Sequence, residues 1–409
     1  MYHISCRVAK YFPLSCILCK KITVSLFFLL YDRFGDIISL LKSVYYDMIH
    51  DWRNNDMNKK QALSMVLFLV MVVALVCSLT AVALMQPDYA QTDDRFDDFK
   101  KFEKNTVDVI FTGTSGIDRY YIPAKGFEDY GITAYPLTSD AQPAWLVKNM
   151  LFEAEKRQDP KLVVIDMRPF TTQYNKKIGS IETGVRYLTD GTCLSPKNKV
   201  DAIEKSLKKL KTLSPDTDFD RKTFYLPLIK HHGAWESVNE FIDEYAYAEL
   251  GFYMSPTRTI VTTKDFEDKT AETKTRGELH PVAKESLLEL LDYLDTKDYE
   301  VLFINTPQGR GEEEMSSNNT VGDILTERGY KYLICEMGDD YDREKDFYNE
   351  GHVNYYGALK FTDYFSEYLL ENYDLTDRRN DENCEYWNGH MDKITDTVAL
   401  WEEQAQEEK

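Results

Sequence analysis

The chain has 409 residues and a net charge of −20, and this charge is unevenly distributed. The residues up to position 86 carry a net charge of +4, so the remainder carries −24. A domain this acidic repels nucleic acid phosphates, which excludes nucleic acid as a partner. The 13% aromatic content excludes global disorder. The roughly 320 residues after position 86 suffice for one large folded domain with insertions.

A long apolar run stands in the N-terminal part of the chain. Residues 62–85 include no charged residue over 24 positions, and roughly 20 apolar residues span a bilayer core. Lys59 and Lys60 precede this run and acidic residues follow it, so the positive-inside rule places the N-terminal side in the cytoplasm. We therefore predict a cytoplasmic segment over 1–61, a single transmembrane helix over 62–85, and a main domain outside the cell membrane. A signal sequence is the alternative, but no small-x-small cleavage site stands directly before Gln86.

Residues 1–56 differ in composition from the rest of the chain. They mix short apolar and basic runs, and the segment that begins at Met57 resembles an ordinary start of a membrane-anchored protein. We interpret residues 1–56 as an upstream extension of the reading frame. Residues 86–105, on the other side of the apolar run, are polar and charged, and we expect them to form a spacer.

Strand and helix patterns alternate after this spacer. Apolar runs typical of buried strands occupy residues 107–111, 132–136, 161–167, 300–305 and 330–334. Helical spacing of apolar residues occupies residues 142–157, 286–294 and 321–328. This alternation implies a parallel sheet that is covered by helices. We predict a three-layer α/β fold over residues 106–375.

Two regions depart from the alternation. Residues 170–281 contain an amphipathic helix, Val200–Leu213, and we expect them to form a lid-like helical insertion. Residues 376–409 form an acidic C-terminal tail, which we expect to end in a surface helix.

Two segments far apart in the sequence carry residues suited to acyl transfer. Ser115 follows the first strand within Gly113-Thr114-Ser115-Gly116, and His352 precedes a late helical pattern. Serine attack on an acyl carbon requires a free hydroxyl and an imidazole that takes its proton. Because ligands of parallel sheets bind at the carboxyl ends of strands, we expect Ser115 and His352 to meet there. We predict a separation within about 4 Å, with Asn349 behind the imidazole and the insertion facing the cleft.

These segments together resemble the SGNH, or GDSL-type, hydrolase superfamily. Gly113-Thr114-Ser115 is similar to its first block, and Asn349-Glu350-Gly351-His352 is similar to its last. With His231-His232-Gly233-Ala234-Trp235, the closer likeness is to membrane-anchored bacterial members related to D-alanyl-transfer and polysaccharide O-acetylation proteins. The resemblance covers about residues 106–375 and implies a flavodoxin-like sheet. As partners it implies a cell-envelope glycan or acyl donor and a membrane-bound O-acyltransferase.

Two positions depart from the pattern of these relatives. Asn349 stands where an Asp is expected, and Ala234 stands where an Arg is expected before Trp235. An amide does not stabilise an imidazolium as a carboxylate does, and the equivalent Asp→Asn change in trypsin lowers kcat about 10⁴-fold.

Three functions therefore remain open. The first is an extracytoplasmic serine O-acyl esterase or acyltransferase that modifies a cell-envelope glycan, with Ser115, His352 and Asn349 as its catalytic residues. The second is a non-catalytic accessory or scaffold protein in cell-surface polysaccharide modification. The third and weakest is an anion-binding module that uses the turn at 113–116.

Further residues are candidates for the oxyanion hole or the cleft. Backbone N–H groups at Ser115 and Gly116 are free at a helix start and suit an oxyanion. The other candidates are Gly131, Gln142, Arg168, His231, His232 and Trp235. A structural role is the alternative for each of them, and Arg168 in particular would commonly form a surface ion pair. We expect no cofactor and no metal, since no Cys or acidic cluster accompanies the paired histidines.

Overall fold

The computed structural model describes residues 59–84, 87–174, 178–233, 246–262, 272–336 and 340–407. The chain divides into two compact units, one up to Val82 and one from Ala83 onward. Helix α1, Lys59–Ala83, belongs mainly to the first unit. Its stretch Lys60–Thr80 is long and apolar enough to cross a membrane, judged by length and composition. The predicted apolar span is thus one continuous helix. Residues 1–56 lie outside the described part of the chain.

The second unit is an α/β domain that is built from short strands and helices. Its strands are β1 Val109–Thr112, β2 Ala134–Pro136, β3 Leu162–Asp166, β4 Tyr247–Glu249, β5 Phe252–Met254, β6 Glu300–Asn305, β7 Lys331–Ile334, β8 Phe347–Asn349 and β9 His352–Val353.

The helices of this unit flank and connect the strands. They are α2 Pro87–Phe99, α3 Ser115–Asp118, α4 Pro123–Tyr130, α5 Val147–Ala154, α6 Arg168–Thr171, α7 Ile178–Thr189, α8 Pro196–Leu213, α9 Arg221–Tyr225, α10 Leu228–His231, α11 Pro281–Leu294, α12 Glu312–Glu327, α13 Arg343–Asp346, α14 Tyr355–Asn372 and α15 His390–Glu407. Short 3₁₀ helices cover Ala144–Leu146 and Glu382–Trp387.

Five strands form one parallel sheet in the order β2-β1-β3-β6-β7. Residues of β1 and β3 are buried throughout, as expected of parallel strands that are covered on both faces. The predicted α/β fold with a parallel sheet flanked by helices is confirmed. The strand order reverses between β1 and β3, and ligands of such sheets bind at the carboxyl ends of strands at this point. Ser115 follows β1 and Arg168 follows β3, so both stand at that edge.

Two antiparallel hairpins stand outside the main sheet and were not predicted from the sequence. Strands β4 and β5 pair within the 170–281 insertion, through a turn in which Leu250 and Gly251 both have positive φ. Strands β8 and β9 pair directly before α14, and their register sets Asn349 opposite His352. This second hairpin holds two of the predicted catalytic residues side by side.

The segment expected to be a spacer instead belongs to the domain. Residues 87–99 form α2, and Phe96 and Phe99 are buried in the core. The guanidinium of Arg95 is also buried, and it lies 3.5 Å from the buried carboxylate of Asp118. Helix α2 is therefore fixed to the domain by apolar burial and by a buried ion pair.

The acidic C-terminal tail is also part of the domain. Trp387 is fully buried, and its ring stacks on those of Phe102 and Phe127, with centroids 4.6 and 5.6 Å away. Buried side chains on α15 are His390, Ile394, Val398 and Trp401. The predicted terminal helix is present, but one of its faces packs into the core.

Candidate active site

The turn between β1 and α3 presents Ser115 at the edge of the sheet. It requires glycine at position 113, where φ is +145° and a Cβ atom would lie 2.2 Å from Cβ of Asp166. The carboxylate of Asp166 accepts hydrogen bonds from the backbone N–H of Thr114, at 3.1 Å, and from its hydroxyl. Asp166 at the end of β3 therefore fixes the turn that precedes Ser115.

The Ser115 hydroxyl meets the imidazole of His352. Ser115 Oγ lies 2.7 Å from His352 Nε2, although 237 residues separate the two in sequence. This separation is within the 4 Å predicted, and it is the direct contact that a general base needs. Asn354 caps α14 by accepting from the N–H groups of Tyr356 and Gly357. The cap fixes the start of the helix directly after β9, which carries His352.

Asn349 lies behind the imidazole, as predicted. Its Oδ1 atom lies 2.9 Å from Nδ1 of His352 and accepts the backbone N–H of Gly351, also at 2.9 Å. A backbone N–H can only donate, so the atom that faces it must be the amide oxygen. Nδ1 of His352 therefore carries the proton, and its Nε2 lone pair faces Ser115. This is the tautomer in which histidine accepts a proton from serine.

The charges around His352 are positive. Burial and the nearby guanidinium groups of Arg119, Arg168 and Arg258 lower the pKa of His352 well below its usual range. The imidazole is therefore neutral near pH 7 and is able to accept a proton. The same charges oppose the imidazolium that would form on proton transfer, and the neutral Asn349 does not offset them.

An aromatic ring supports the imidazole. The ring of Tyr348 stacks on that of His352, with centroids 5.3 Å apart and planes 10° from parallel. The Tyr348 hydroxyl accepts from Nη1 of Arg119, whose Nη2 donates to Asp140 Oδ2 at 2.6 Å. The guanidinium of Arg119 also lies 4.3 Å from the ring centroid of Tyr253. Arg119 thus joins the β8–β9 hairpin to the insertion on the side of the cleft.

These residues line an open cleft of about 500 Å³. Its walls consist of Ser115, Arg119, Asp140, Ala141, Ser180, Thr183, Tyr187, Arg258, Tyr348, Asn349 and His352. Helix α7 and the segment after β5 supply four of these residues, so the cleft faces the insertion as predicted. Sequence reasoning missed Arg119, Tyr348 and Arg258, which lie in no recognisable motif.

The predicted oxyanion donors differ in their availability. The N–H of Ser115 has no acceptor within the described part of the chain, whereas that of Gly116 donates to Thr114 Oγ1 at 3.2 Å. The N–H of Gly131 donates to the carbonyl of Phe127 at 2.9 Å, where Gly131 ends α4. Gly131 is therefore a helix cap and not an oxyanion donor. Because Thr114 and Gly116 already donate within the protein, the turn at 113–116 is also a poor anion-binding module.

Gln142 is buried, and neither of its side-chain amide atoms has a hydrogen-bond partner among the described residues. It follows Asp140 and Ala141, which both line the cleft. Unpaired buried amides are rare and commonly mark hydrated or functional sites. Gln142 therefore remains a candidate for the oxyanion hole.

Arg168 has a structural role, because its guanidinium holds a loop of the site. Its Nη2 atom donates to the hydroxyl of Thr306, at 3.2 Å, and to the carbonyl of Gly351, at 3.0 Å. Arg168 is not among the residues that line the cleft. Its side chain connects the loop between Asn349 and His352 to the edge of the sheet. The prediction that Arg168 lines the cleft is therefore wrong.

The histidines of the insertion lie elsewhere than predicted. His231 Nε2 lies 2.7 Å from Asp190 Oδ2, and His232 Nδ1 lies 2.9 Å from the carbonyl of Ile229. Neither lines the cleft, and Trp235 lies outside the described residues. Within the described ranges, no group of three or more His, Cys, Asp or Glu side chains is arranged to hold a metal ion.

No family model matches this sequence, and a search of curated proteins gives no match. Support for a function therefore comes from the geometry of Ser115, His352 and Asn349.

Proposed function

We propose that this chain is an extracytoplasmic serine O-acyl esterase or acyltransferase of the SGNH type, which modifies a cell-envelope glycan. The observation that carries the proposal is the 2.7 Å contact between Ser115 Oγ and His352 Nε2. The sheet order, which corresponds to the flavodoxin-like order 2-1-3-4-5, supports the assignment because it sets Ser115 at the switch point. Helix α1 would anchor the protein, with Lys59 and Lys60 on the cytoplasmic side.

The geometry supports a two-step acyl transfer. In the first step Ser115 Oγ attacks the acyl carbon while its proton passes to Nε2 of His352. The free N–H of Ser115 is in place to stabilise the tetrahedral oxyanion. The imidazolium of His352 then returns the proton to the departing glycan oxygen, which leaves an acyl group on Ser115. In the second step His352 takes a proton from water or from a glycan hydroxyl, whose oxygen attacks the acyl carbon. The bond to Ser115 Oγ breaks and His352 returns the proton to that oxygen, so water gives hydrolysis and a glycan hydroxyl gives transfer.

Asn349 orients the imidazole in this mechanism without stabilising its charge. Its Oδ1 atom holds the Nδ1–H of His352 and so selects the reactive tautomer. The imidazolium that forms in each step lacks a carboxylate partner, so we expect slow turnover relative to a Ser-His-Asp enzyme.

Hydrolysis of 4-nitrophenyl acetate by the full chain in detergent tests this proposal. The wild type should release nitrophenol above the uncatalysed rate, and Ser115→Ala and His352→Ala should abolish the increase. The matched control is Ser214→Ala, because Ser214 is a half-buried serine at the C-terminal end of α8 and does not line the cleft. Wild-type turnover equal to that of Ser115→Ala would exclude an esterase.

A second function, a non-catalytic accessory protein beside a membrane-bound O-acyltransferase, is favoured by one observation. Three arginines lower the pKa of His352, and the residue that contacts its Nδ1 is the neutral Asn349 and not a carboxylate. Complementation of a deletion strain separates the two functions. If Ser115→Ala restores glycan acylation fully, the accessory role is correct; if it restores none while the protein is present at wild-type level, the catalytic role is correct.

A further inference from the structure

The cleft contains a cation that has no partner among the described residues. Two arginines, Arg119 and Arg258, and one carboxylate, Asp140, line its walls. Asp140 is engaged by Arg119, whose Nη2 donates to it at 2.6 Å. The side chain of Arg258 forms no hydrogen bond or ion pair within the described part of the chain. Arg258 is therefore the lining charge that remains available to a ligand.

The backbone around Arg258 is held in place beside the catalytic histidine. The N–H of Ser255 donates to Thr259 Oγ1 at 2.8 Å, which closes the turn that contains Arg258. The carbonyl of Thr259 accepts the N–H of Tyr355, at 2.9 Å, at the start of α14. The turn is thus fixed to the helix that directly follows His352.

Arg258 lines the same cleft as the reacting residues Ser115 and His352. Its charge acts on Tyr348 and His352, which line the same cleft, and on Tyr253, whose ring lies against Arg119. The side chain is half-buried, so a ligand in the cleft would be partly shielded from water. A partly desolvated guanidinium binds carboxylate or phosphate through two parallel hydrogen bonds, more strongly than it would in open solvent.

We propose, building on the function proposed above, that the substrate ester carries an anionic group, a carboxylate or a phosphate, that Arg258 binds beside Ser115. The domain as a whole is acidic and repels polyanions at a distance. Salt screens this repulsion over about 8 Å, so it does not cancel the local field of the cleft. We therefore expect Arg258 to bind a single anionic group that lies close to the ester.

Anion binding also has a consequence for catalysis. A bound anion would offset one of the positive charges near His352 and would favour the imidazolium that forms during acyl transfer. The substrate would thereby supply part of the negative charge that Asn349 lacks. Substrates with the anion should react faster, in addition to binding more tightly.

Calorimetry on the full chain in detergent tests the binding site without requiring activity. Glucuronate is compared with glucose, and glycerol 3-phosphate with glycerol. At least one anion should bind detectably more tightly than its neutral counterpart, and Arg258→Gln should weaken that binding about tenfold or more. Arg258→Lys should retain part of it. The matched control is Arg276→Gln, because Arg276 is exposed and pairs with Asp323 outside the cleft.

The two anions identify the source of the charge. Tighter binding of glucuronate indicates a uronic acid, and tighter binding of glycerol 3-phosphate indicates a polyol phosphate. Failure of both anions to bind, or binding that Arg258→Gln leaves unchanged, would overturn the proposal.

A kinetic comparison separates this proposal from the proposed function. O-acetyl glucuronate is compared with its neutral methyl ester, and the wild type should favour the anion about tenfold in kcat/KM. Arg258→Gln should lower this ratio, and Arg276→Gln should not. If activity depends on Ser115 but the ratio does not depend on Arg258, the anion proposal is wrong and the esterase stands. If no ester reacts but anion binding depends on Arg258, the esterase is wrong and the anion site stands.

Discussion

The backbone N–H of Gly351 fixes the orientation of the Asn349 side chain, because it donates to Oδ1 at 2.9 Å. The same oxygen lies 2.9 Å from Nδ1 of His352. A flipped amide would set its NH₂ group against the N–H of Gly351, which is unfavourable. The site therefore separates two tasks that one aspartate usually performs, since Asn349 orients the imidazole and leaves its charge unstabilised.

The change Asn349→Asp should raise kcat/KM for a neutral acetyl ester about tenfold or more. The carboxylate would keep the contact with His352 Nδ1 and add the charge that stabilises the imidazolium, the contribution that is worth up to about 10⁴ in trypsin. Initial rates of 4-nitrophenyl acetate hydrolysis provide the measurement. Asn349→Ala is the control and should lower the rate, because it removes the orienting oxygen. An aspartate variant no faster than the wild type would show that charge at this position is not what limits the site.

The pH profile should show its acid limb below the usual histidine pKa of about 6.5. Burial and the arginines lower the pKa of His352, so the reactive neutral form persists as the pH falls and is lost only through the lowered value. In Asn349→Asp the added negative charge raises this pKa, and the acid limb should move to higher pH. Plots of kcat/KM against pH measure both. A wild-type acid limb at or above pH 6.5 would contradict the assignment of His352 as the base.

Removal of the ring that stacks on His352 should slow catalysis. Tyr348→Ala leaves the imidazole without its stacking partner, an interaction worth about 0.5–1.5 kcal/mol, so kcat should fall about twofold to tenfold. Tyr348→Phe keeps the ring and loses only the hydroxyl that accepts from Arg119. The phenylalanine variant should therefore retain more activity than the alanine variant. Equal loss in both would assign the effect to the hydroxyl.

Substitution of Gly113 should destabilise the turn before Ser115. Gly113→Ala would bring a Cβ atom against Asp166 at a φ of +145°, and such backbone strain costs about 1–3 kcal/mol before the clash is added. The matched control is Gly179→Ala on α7, where an added Cβ meets nothing within 4 Å and where alanine favours the helix. Denaturant unfolding of the full chain in detergent compares the two. Equal stability of both variants would contradict the geometry of the turn.

The buried pair between α2 and the domain should make Arg95 important for stability. Arg95→Ala removes the closer of the two cations beside the buried carboxylate of Asp118 and leaves only Arg119, at 3.8 Å. Breaking a buried ion pair costs about 3–5 kcal/mol. Asp97→Ala on the same helix removes only an exposed pair with Lys100, so its effect should stay within about 1 kcal/mol. The measurement is again denaturant unfolding. An Arg95→Ala variant as stable as Asp97→Ala would indicate that residues 87–99 form a spacer after all.

The central strands could be predicted from the sequence because buried parallel strands are continuous apolar runs. The run 161–167 corresponds to β3, and 300–305 corresponds to β6. The meeting of Ser115 and His352 also followed from the sequence, since both were expected at the carboxyl edge of one sheet. This long-range contact could be predicted because the topology rules of parallel sheets limit where the ends of strands can lie.

The role of α2 and the walls of the cleft could not be predicted in the same way. The segment between Gln91 and Phe99 is mostly acidic and polar, so it was predicted to be a spacer and not a helix. Tyr89, Phe96 and Phe99 nevertheless lie on one face of α2. Tyr348 lies in the β8–β9 hairpin, and Arg258 follows the β4–β5 hairpin. The strands of these hairpins have two or three residues, which is too few to show the alternation of apolar and polar residues that predicts a strand. Their position in the cleft depends on tertiary packing, which cannot be predicted from the local sequence pattern.

Labelling with a serine-reactive fluorophosphonate tests the central claim most directly, because only a nucleophilic serine beside a base reacts. Mass spectrometry of the digested full chain locates the adduct. The Ser115–His352 geometry predicts a single adduct on Ser115 in the wild type, a slower reaction in His352→Ala, and none in Ser115→Ala. No adduct on the folded wild type, or equal labelling of Ser115→Ala, would contradict the assignment of Ser115 as the nucleophile.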